Sequence, residues 1–242
     1  MTPGTVALLV AAGSGRRLGH ELPKALVPCA GRPLLSWALD ALLAAPSITE
    51  VIVALPEGVD LPEPRERVRS VVGGDERSHS VRAALSAVVG DEALVAVHDA
   101  ARPLITPDQI ESVIAVASRD GVDGAIAAAP VTDTIKQASR PELVVERTID
   151  RSQLWSVQTP QVFRRAALSG ALEQSDEVLG AATDDAALVE AQGGRIAIAE
   201  LPATNIKVTT PVDLQLAEMM LRNRFAIPSD EPLRASSSAG GD

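Results

Sequence analysis

Leu8-Leu9-Val10-Ala11-Ala12-Gly13-Ser14-Gly15-Arg16-Arg17-Leu18-Gly19, with Pro23-Lys24 close behind, decides how this chain is read. An apolar run of strand type feeds a loop with three glycines, two adjacent arginines and a nearby lysine. Glycine lets backbone N–H groups approach an anion because no Cβ intervenes. Arginine and lysine then neutralise phosphate oxygens. The stretch predicts a phosphate-handling loop at the start of an α/β domain. Spacing excludes two common versions. A dinucleotide fingerprint finds Leu18 where its third glycine belongs, and no acidic residue closes the next strand, which runs into Pro56. A P-loop needs Gly-Lys followed by Ser or Thr, which is absent here.

The rest of the chain agrees with an α/β domain. Apolar strand-type runs at 6–10, 51–55, 70–72, 94–98 and 124–129 alternate with segments of helical period. One stripe is Leu34, Leu35, Ala38, Leu39, Leu42 and Leu43 after Pro33; another is Val81, Ala84, Leu85 and Val88. A third, Ile110, Val113, Ile114 and Ala117, follows Thr106 as cap and Pro107 in the first turn. Such alternation predicts a doubly wound, mostly parallel sheet, with ligands beyond the carboxyl ends of its strands. The pattern breaks over about 131–156, which reads as a β-hairpin arm around Ser139-Arg140-Pro141. So small a hairpin needs a surface to pack on, and a second copy of the chain is the natural one. Helices over 166–172 and 185–191, a strand over 196–201 and an amphipathic helix over 212–222 complete a single domain, 1–226. The serine-, glycine- and acid-rich segment 227–242 is expected to be a disordered tail.

Composition narrows the class. The 242 residues are 46% hydrophobic with two Trp, two Phe and no Tyr, a core of small aliphatics suited to helices packed on a sheet. The lone Cys29 suits a reducing compartment and is expected to be a small packed residue. No secretory leader pattern and no membrane-length apolar run is present, so a cytoplasmic protein is expected. A formal charge of −10 argues against nucleic acid as partner, so cations for a phosphorylated ligand must be focused locally. The three lysines, Lys24, Lys136 and Lys207, all fall in or beside the candidate motifs.

Four groups of residues carry candidate chemistry. Gly13 and Gly15 would admit a triphosphate whose charge Arg17 and Lys24 hold. Gly73-Gly74-Asp75-Glu76-Arg77 permits a backbone path close to a ligand; Asp75 or Ser78 offers a helix cap and Ser80 opens the helix. In Val97-His98-Asp99-Ala100-Ala101-Arg102-Pro103, Asp99 could bind Mg²⁺ or a ribose hydroxyl, or pair with Arg102, while His98 reads as a satisfied, partly buried histidine. The fourth group is Thr134, Arg151, Thr159, Thr183 and Lys207. Thr183 could equally cap a helix, whereas Lys207 between apolar neighbours demands an anionic partner. No nucleophile stands with an activating base, so covalent catalysis is not expected.

Taken in order, these segments resemble the 2-C-methyl-D-erythritol 4-phosphate cytidylyltransferases of the non-mevalonate isoprenoid route, a family of Rossmann-like nucleotidyltransferases. The matching pieces are Ala-Ala-Gly-x-Gly-x-Arg, Gly-Gly-Asp-Glu-Arg-x-x-Ser-Val, Val-His-Asp-Ala-Ala-Arg-Pro, Ala-Pro-Val-x-Asp-Thr-Ile-Lys, Asp-Arg-x-x-Leu-Trp, Thr-Pro-Gln, Thr-Asp-Asp-Ala and Asn-Ile-Lys-Val-Thr, over about residues 5–220. The resemblance implies a Mg²⁺-dependent reaction of CTP with a polyol phosphate, and a homodimer joined through the arm. It implies that Arg17 and Lys24 stabilise the reacting α-phosphate, and that Arg151 and Lys207 position the acceptor. Thr134, Thr159 and Thr183 would add acceptor contacts, Thr134 and Arg151 from the neighbour's arm. Ala11, Ala12, Gly74, Asp75 and Ser80 would recognise cytosine and ribose, and Asp99 would lie near ribose and metal. The alternatives are a ribitol 5-phosphate cytidylyltransferase, which shares most of the nucleotide loop, and a non-catalytic nucleotide-binding protein on the same fold. Loss of Lys24 or Arg17 would favour the latter, and both are present.

Overall fold

A computed structural model of the chain describes residues 4–13, 15, 18 and 22–226. In chain order its elements are β1 (Thr5–Val10), β2 (Pro28–Cys29), β3 (Arg32–Pro33), α1 (Leu34–Ala44), β4 (Ile48–Leu55), β5 (Val68–Val72), α2 (Arg77–Ser86), β6 (Leu94–Asp99), α3 (Pro107–Ala117) and β7 (Gly124–Pro130). They continue as β8 (Ile135–Ala138), β9 (Val145–Ile149), β10 (Trp155–Arg164), α4 (Arg165–Ala171), α5 (Asp176–Ala181), α6 (Asp185–Ala191), β11 (Ile196–Glu200) and α7 (Pro211–Ala226). The main sheet has seven strands in the order β11-β7-β10-β6-β1-β4-β5.

β1 sits between β4 and β6 and is parallel to both; Leu8 faces Ile52 on one side and Val97 on the other. A strand so enclosed reads as an unbroken apolar run, because both its faces are covered. Alternate residues feed two cores. Ala7, Leu9, Val51 and Val53 pack under α1 and α3, whereas Val6, Leu8, Ile52 and Ala54 pack under α2, α4, α5 and α6. The chain leaves β1 toward β4 and β5, then returns to β6 on its other side. A crevice opens at that reversal, beyond the carboxyl ends of β1 and β6.

The doubly wound, mostly parallel sheet is thus as the sequence implies, with one addition. β10 runs antiparallel between β6 and β7 at the centre of the sheet. Pro160 hides it from a sequence reading, since proline cannot donate to a ladder and is confined in strands to edges and bulges. Here the register shifts between Val157 and Gln161, and Pro160 occupies that irregularity. Two other elements lacked a sequence signal, the β2–β3 ladder and α5. Thr106 caps α3 as expected, and the structure adds a reciprocal bond from Gln109 that makes it a capping box. α2 differs: it starts at Arg77 behind Glu76, which makes no side-chain cap, so neither Asp75 nor Ser78 caps it and Ser80 lies inside its first turns.

The arm, β8 paired with β9, forms a ladder of its own, joined to no strand of the main sheet. Leu143, Val144 and Val145 stand exposed on it. α7 buries only a narrow stripe, Ala217 and Leu221, against Val27, Leu34, Leu104 and Val208. Among the described residues no helix is long and apolar enough to cross a membrane. Residues 227–242, expected as a tail, lie outside the described residues, as does Arg17.

Candidate active site

The loop after β1 is shaped around Lys24. Gly15 has φ +68°, a region costly to any residue with a Cβ, and a Cβ there would lie 3.0 Å from Lys24 Cα. The Lys24 N–H donates to the Gly13 carbonyl at 3.1 Å. Glycine at 15 therefore lets the lysine backbone lie against the loop, and the Gly13 carbonyl holds it there. The loop after β5 closes on it from the other side. A Cβ on Gly73 would lie 2.6 Å from Ala12 Cβ, and one on Gly74 only 2.4 Å from His79 Cβ. Ser80 is buried and fastens this loop, its Oγ accepting from the Gly74 N–H at 3.1 Å.

These loops wall a cleft of about 550 Å³. Ala11, Ala12, Gly13, Gly15 and Lys24 line one side of it, and Gly74, Asp75 and Ser80 the other. Asp99 and Lys207 reach its floor. A second cavity of about 270 Å³ adjoins it, bordered by Arg102, Thr159, Gln161 and Thr183. Arg77, Asp99 and Lys207 line both spaces, so the two cavities meet at one charged cluster.

That cluster alternates in sign. Buried Asp185 accepts from Arg77 Nη1 at 2.6 Å, Arg77 Nε donates to Asp99 Oδ1 at 2.9 Å, and Lys207 Nζ lies 2.7 Å from Asp99 Oδ2. Burial works against a charge on Asp99, yet Arg77 and Lys207 hold its carboxyl well below the usual carboxylate range. Burial pushes the Asp185 carboxyl up, against the pull of Arg77. Asp99 therefore pairs with Arg77 and Lys207 and not with Arg102. Arg102 instead donates to the Asn205 carbonyl at 2.7 Å and the Val157 carbonyl at 3.4 Å, which ties β10 to the segment carrying Lys207. The Asn205 side chain strengthens that tie through the Thr159 carbonyl at 2.9 Å, and the Val208 N–H donates to the Ala101 carbonyl at 2.8 Å.

His98 is fully buried rather than partly so. Burial pushes its imidazole down to about 4 against the pull of Asp99, so it is a neutral structural group near pH 7. Thr159 is buried beside it, its hydroxyl engaged with the His98 ring and the Asp99 N–H. Thr183 is not a helix cap, because Asp184 takes that position and accepts from the Ala187 N–H at 2.9 Å. Thr134 and Arg151 stand exposed at the base of the arm, and neither lines either of these two cavities; the Arg151 guanidinium donates to the Thr132 carbonyl. Cys29 is a packed core residue whose buried thiol is pushed up to about 11.

From sequence, Arg102 had only a pairing with Asp99 and Asp185 only a helix-dipole role, Asn205 had none, and Arg77 stood out only as an arginine no turn explained. Lys207 gave the available signal: a lysine between apolar neighbours needs a buried carboxylate, and Asp99 is that carboxylate. Among the described residues no group of three or more His, Cys, Asp or Glu side chains converges as a metal cage. Asp99 offers a hard, ionised carboxylate in the cleft floor, which fits a cation that takes one or two protein carboxylates and completes its shell with substrate phosphate and water.

Comparison with known proteins agrees with this geometry. The family model described as 2-C-methyl-D-erythritol 4-phosphate cytidylyltransferase matches residues 5–223. A protein of that name from Azoarcus sp. is 41% identical over 236 residues, covering 93% of this chain and 97% of the relative. One from Deinococcus radiodurans is 43% identical over 219 residues, covering 90% of each. The crystal structure of the cytidylyltransferase from Thermus thermophilus is 35% identical, with a TM-score of 0.73 over 89% of this chain and 98% of that one. That from Francisella tularensis has a TM-score of 0.77 at 28% identity, over 89% and 99%. With two cavities meeting at a charged junction and likeness along nearly its whole length, the chain belongs to the 2-C-methyl-D-erythritol 4-phosphate cytidylyltransferase family.

Proposed function

We propose that this chain transfers the cytidylyl group of CTP to 2-C-methyl-D-erythritol 4-phosphate and releases pyrophosphate, with CTP in the larger cleft and the polyol phosphate in the smaller cavity. The observation that carries this division is the sharing of Arg77, Asp99 and Lys207 by both spaces. A phosphoryl oxygen of the acceptor attacks the α-phosphorus in line, the bond from that phosphorus to the β-bridging oxygen breaks, and pyrophosphate leaves with the electron pair. A phosphate monoester is already anionic near neutral pH, so no general base is required. The work left to the protein is to bring two anions together and offset the charge that builds between them. An inventory of cations without a catalytic dyad suits that task.

In this reading Lys24 and Arg17 offset charge on the reacting α-phosphate and the leaving group. Ala11, Ala12, Gly74 and Asp75 present backbone to cytosine and ribose, and Ser80 holds that backbone in place. Lys207 draws the acceptor phosphate to the junction, with Thr159 and Thr183 toward its hydroxyls. Asp99 would hold Mg²⁺ or a similar cation, which when bound neutralises triphosphate oxygens. Arg151 and Thr134 would complete the acceptor site of a second copy, with the exposed Leu143, Val144 and Val145 covering apolar surface on that partner. A chain with one cysteine, buried as a thiol, suits a reducing cytoplasm. The test is pyrophosphate release with Mg²⁺, with CTP, UTP, ATP and GTP each offered with methylerythritol phosphate or ribitol 5-phosphate. Release confined to CTP and methylerythritol phosphate supports the reading. Release with ribitol 5-phosphate alone would overturn the acceptor, and silence in every pairing would overturn catalysis.

A further inference from the structure

Thr159 borders the acceptor cavity, and the residue behind its hydroxyl decides which way the hydroxyl proton points. His98 Nε2 lies 3.3 Å from the Arg102 carbonyl oxygen. A carbonyl can only accept, so Nε2 carries a proton. The ring is fully buried with no carboxylate of the described residues hydrogen-bonded to it, so it holds no second proton and Nδ1 is bare. Nδ1 lies 3.0 Å from Thr159 Oγ1, so the threonine hydroxyl donates its single proton there. The same oxygen accepts from the Asp99 N–H at 3.1 Å. Every donor in this chain of bonds is matched to an acceptor, and the direction of each is fixed by the Arg102 carbonyl at its far end. Toward the cavity Thr159 has only a lone pair left to offer.

We propose that His98 is a positioning residue for acceptor recognition: its bare Nδ1 makes the Thr159 hydroxyl a hydrogen-bond acceptor only, so that the cavity takes a substrate hydroxyl at this wall and turns a phosphate oxygen away from it. The inference rests on reading this cavity as the polyol-phosphate site. An anionic oxygen placed against a lone pair is repelled, whereas an alcohol O–H is bound. The acceptor is thereby oriented with its carbinol end toward β10 and its phosphate toward Lys207, the end from which attack on the α-phosphate is in reach. Without a bare nitrogen behind it, the Thr159 hydroxyl could rotate, donate to phosphate and accommodate the acceptor end for end.

Two substitutions separate the ring nitrogens. An asparagine amide overlays Nδ1 and can accept from Thr159, whereas a glutamine amide overlays Nε2 and can only preserve the bond to the Arg102 carbonyl. His98→Gln should raise the KM for the polyol phosphate by about tenfold, the loss of roughly one hydrogen bond, with the KM for CTP unchanged; His98→Asn should restore the acceptor KM toward the native value. Equal rises in both KM values, or identical behaviour of the two variants, would reduce His98 to a packing residue and overturn the proposal. Long-range ¹H–¹⁵N correlation spectra of native protein labelled with ¹⁵N-histidine give a readout independent of activity and of variant folding. At neutral pH the His98 ring should show the neutral Nε2–H tautomer with a hydrogen-bonded Nδ1, and an Nδ1–H or charged ring would overturn the proposal. Native turnover, measured alongside, tests the assigned activity; the spectrum tests the His98–Thr159 pair whatever the acceptor proves to be.

Discussion

Lowering the pH should destabilise this protein in a window that belongs to His98. The fully buried imidazole titrates at about 4, against an ordinary value of 6.5. Because the folded value is the lower one, folding favours the neutral ring. Its contribution is complete above about pH 6.5 and is lost as the pH falls toward 4, where the unfolded chain takes up a proton that the folded chain refuses. The gap between the two values, at about 1.4 kcal/mol for each pH unit, makes the full contribution about 3 kcal/mol. Roughly 2 kcal/mol of it should be gone by about pH 5. Asp99 is depressed in the same sense, but its loss begins below the ordinary carboxylate value and lies outside this window. Urea unfolding in EDTA at intervals from pH 7.5 to 4.5, compared with His98→Asn, isolates the effect. Asp185, pushed up by burial, works in the opposite sense in both proteins, so the native curve should fall more steeply than the variant's, the difference in slope approaching one proton. Parallel curves would refute the assignment of a buried neutral imidazole.

Other consequences follow from single side chains. Lys24→Ala should lower kcat by about 100-fold or more with the fold intact, because its ammonium acts on charge that grows in the transition state; native-like turnover would remove it from the mechanism. Lys207→Ala should raise the acceptor KM by about 10- to 100-fold through loss of a charge-assisted contact, and an effect confined to CTP would contradict its place at the acceptor phosphate. Gly74→Ala sets a methyl 2.4 Å from His79 Cβ. It should cost about 1–3 kcal/mol in thermal or urea unfolding and weaken CTP binding in titration calorimetry. Asp185→Asn removes the buried charge that anchors Arg77 at 2.6 Å. It should slow turnover more than Asp185→Glu does, and equal rates in the two variants would show that the charge is immaterial.

Much of the fold was legible because its signals are local. α3 announced itself through Thr106, Pro107 and a periodic apolar stripe, and β1 through an apolar run that only a doubly covered strand can sustain. The arm was visible as a break in the alternation. β10 was not, since Pro160 in mid-strand is permitted only by an irregularity that pairing with β7 creates. At the site, residues that act through backbone, such as Gly74, could be found from their glycines. Ion pairing could not: Arg102 is three residues from Asp99 in sequence, yet Arg77 and Lys207, brought from α2 and from the segment after β11, take the carboxylate. The cap of α6 was misplaced for a related reason, with Thr183 and Asp184 both chemically able and only the backbone direction choosing between them.

The most direct test of the chemistry follows oxygen. With ¹⁸O in the phosphate of methylerythritol phosphate and unlabelled CTP, attack by that phosphate on the α-phosphorus predicts that all label remains in the cytidine diphosphate product, part of it in the P–O–P bridge, and that the released pyrophosphate carries none. Label in pyrophosphate, or a product whose bridge oxygen comes wholly from CTP, would contradict a direct transfer at the junction of the two cavities.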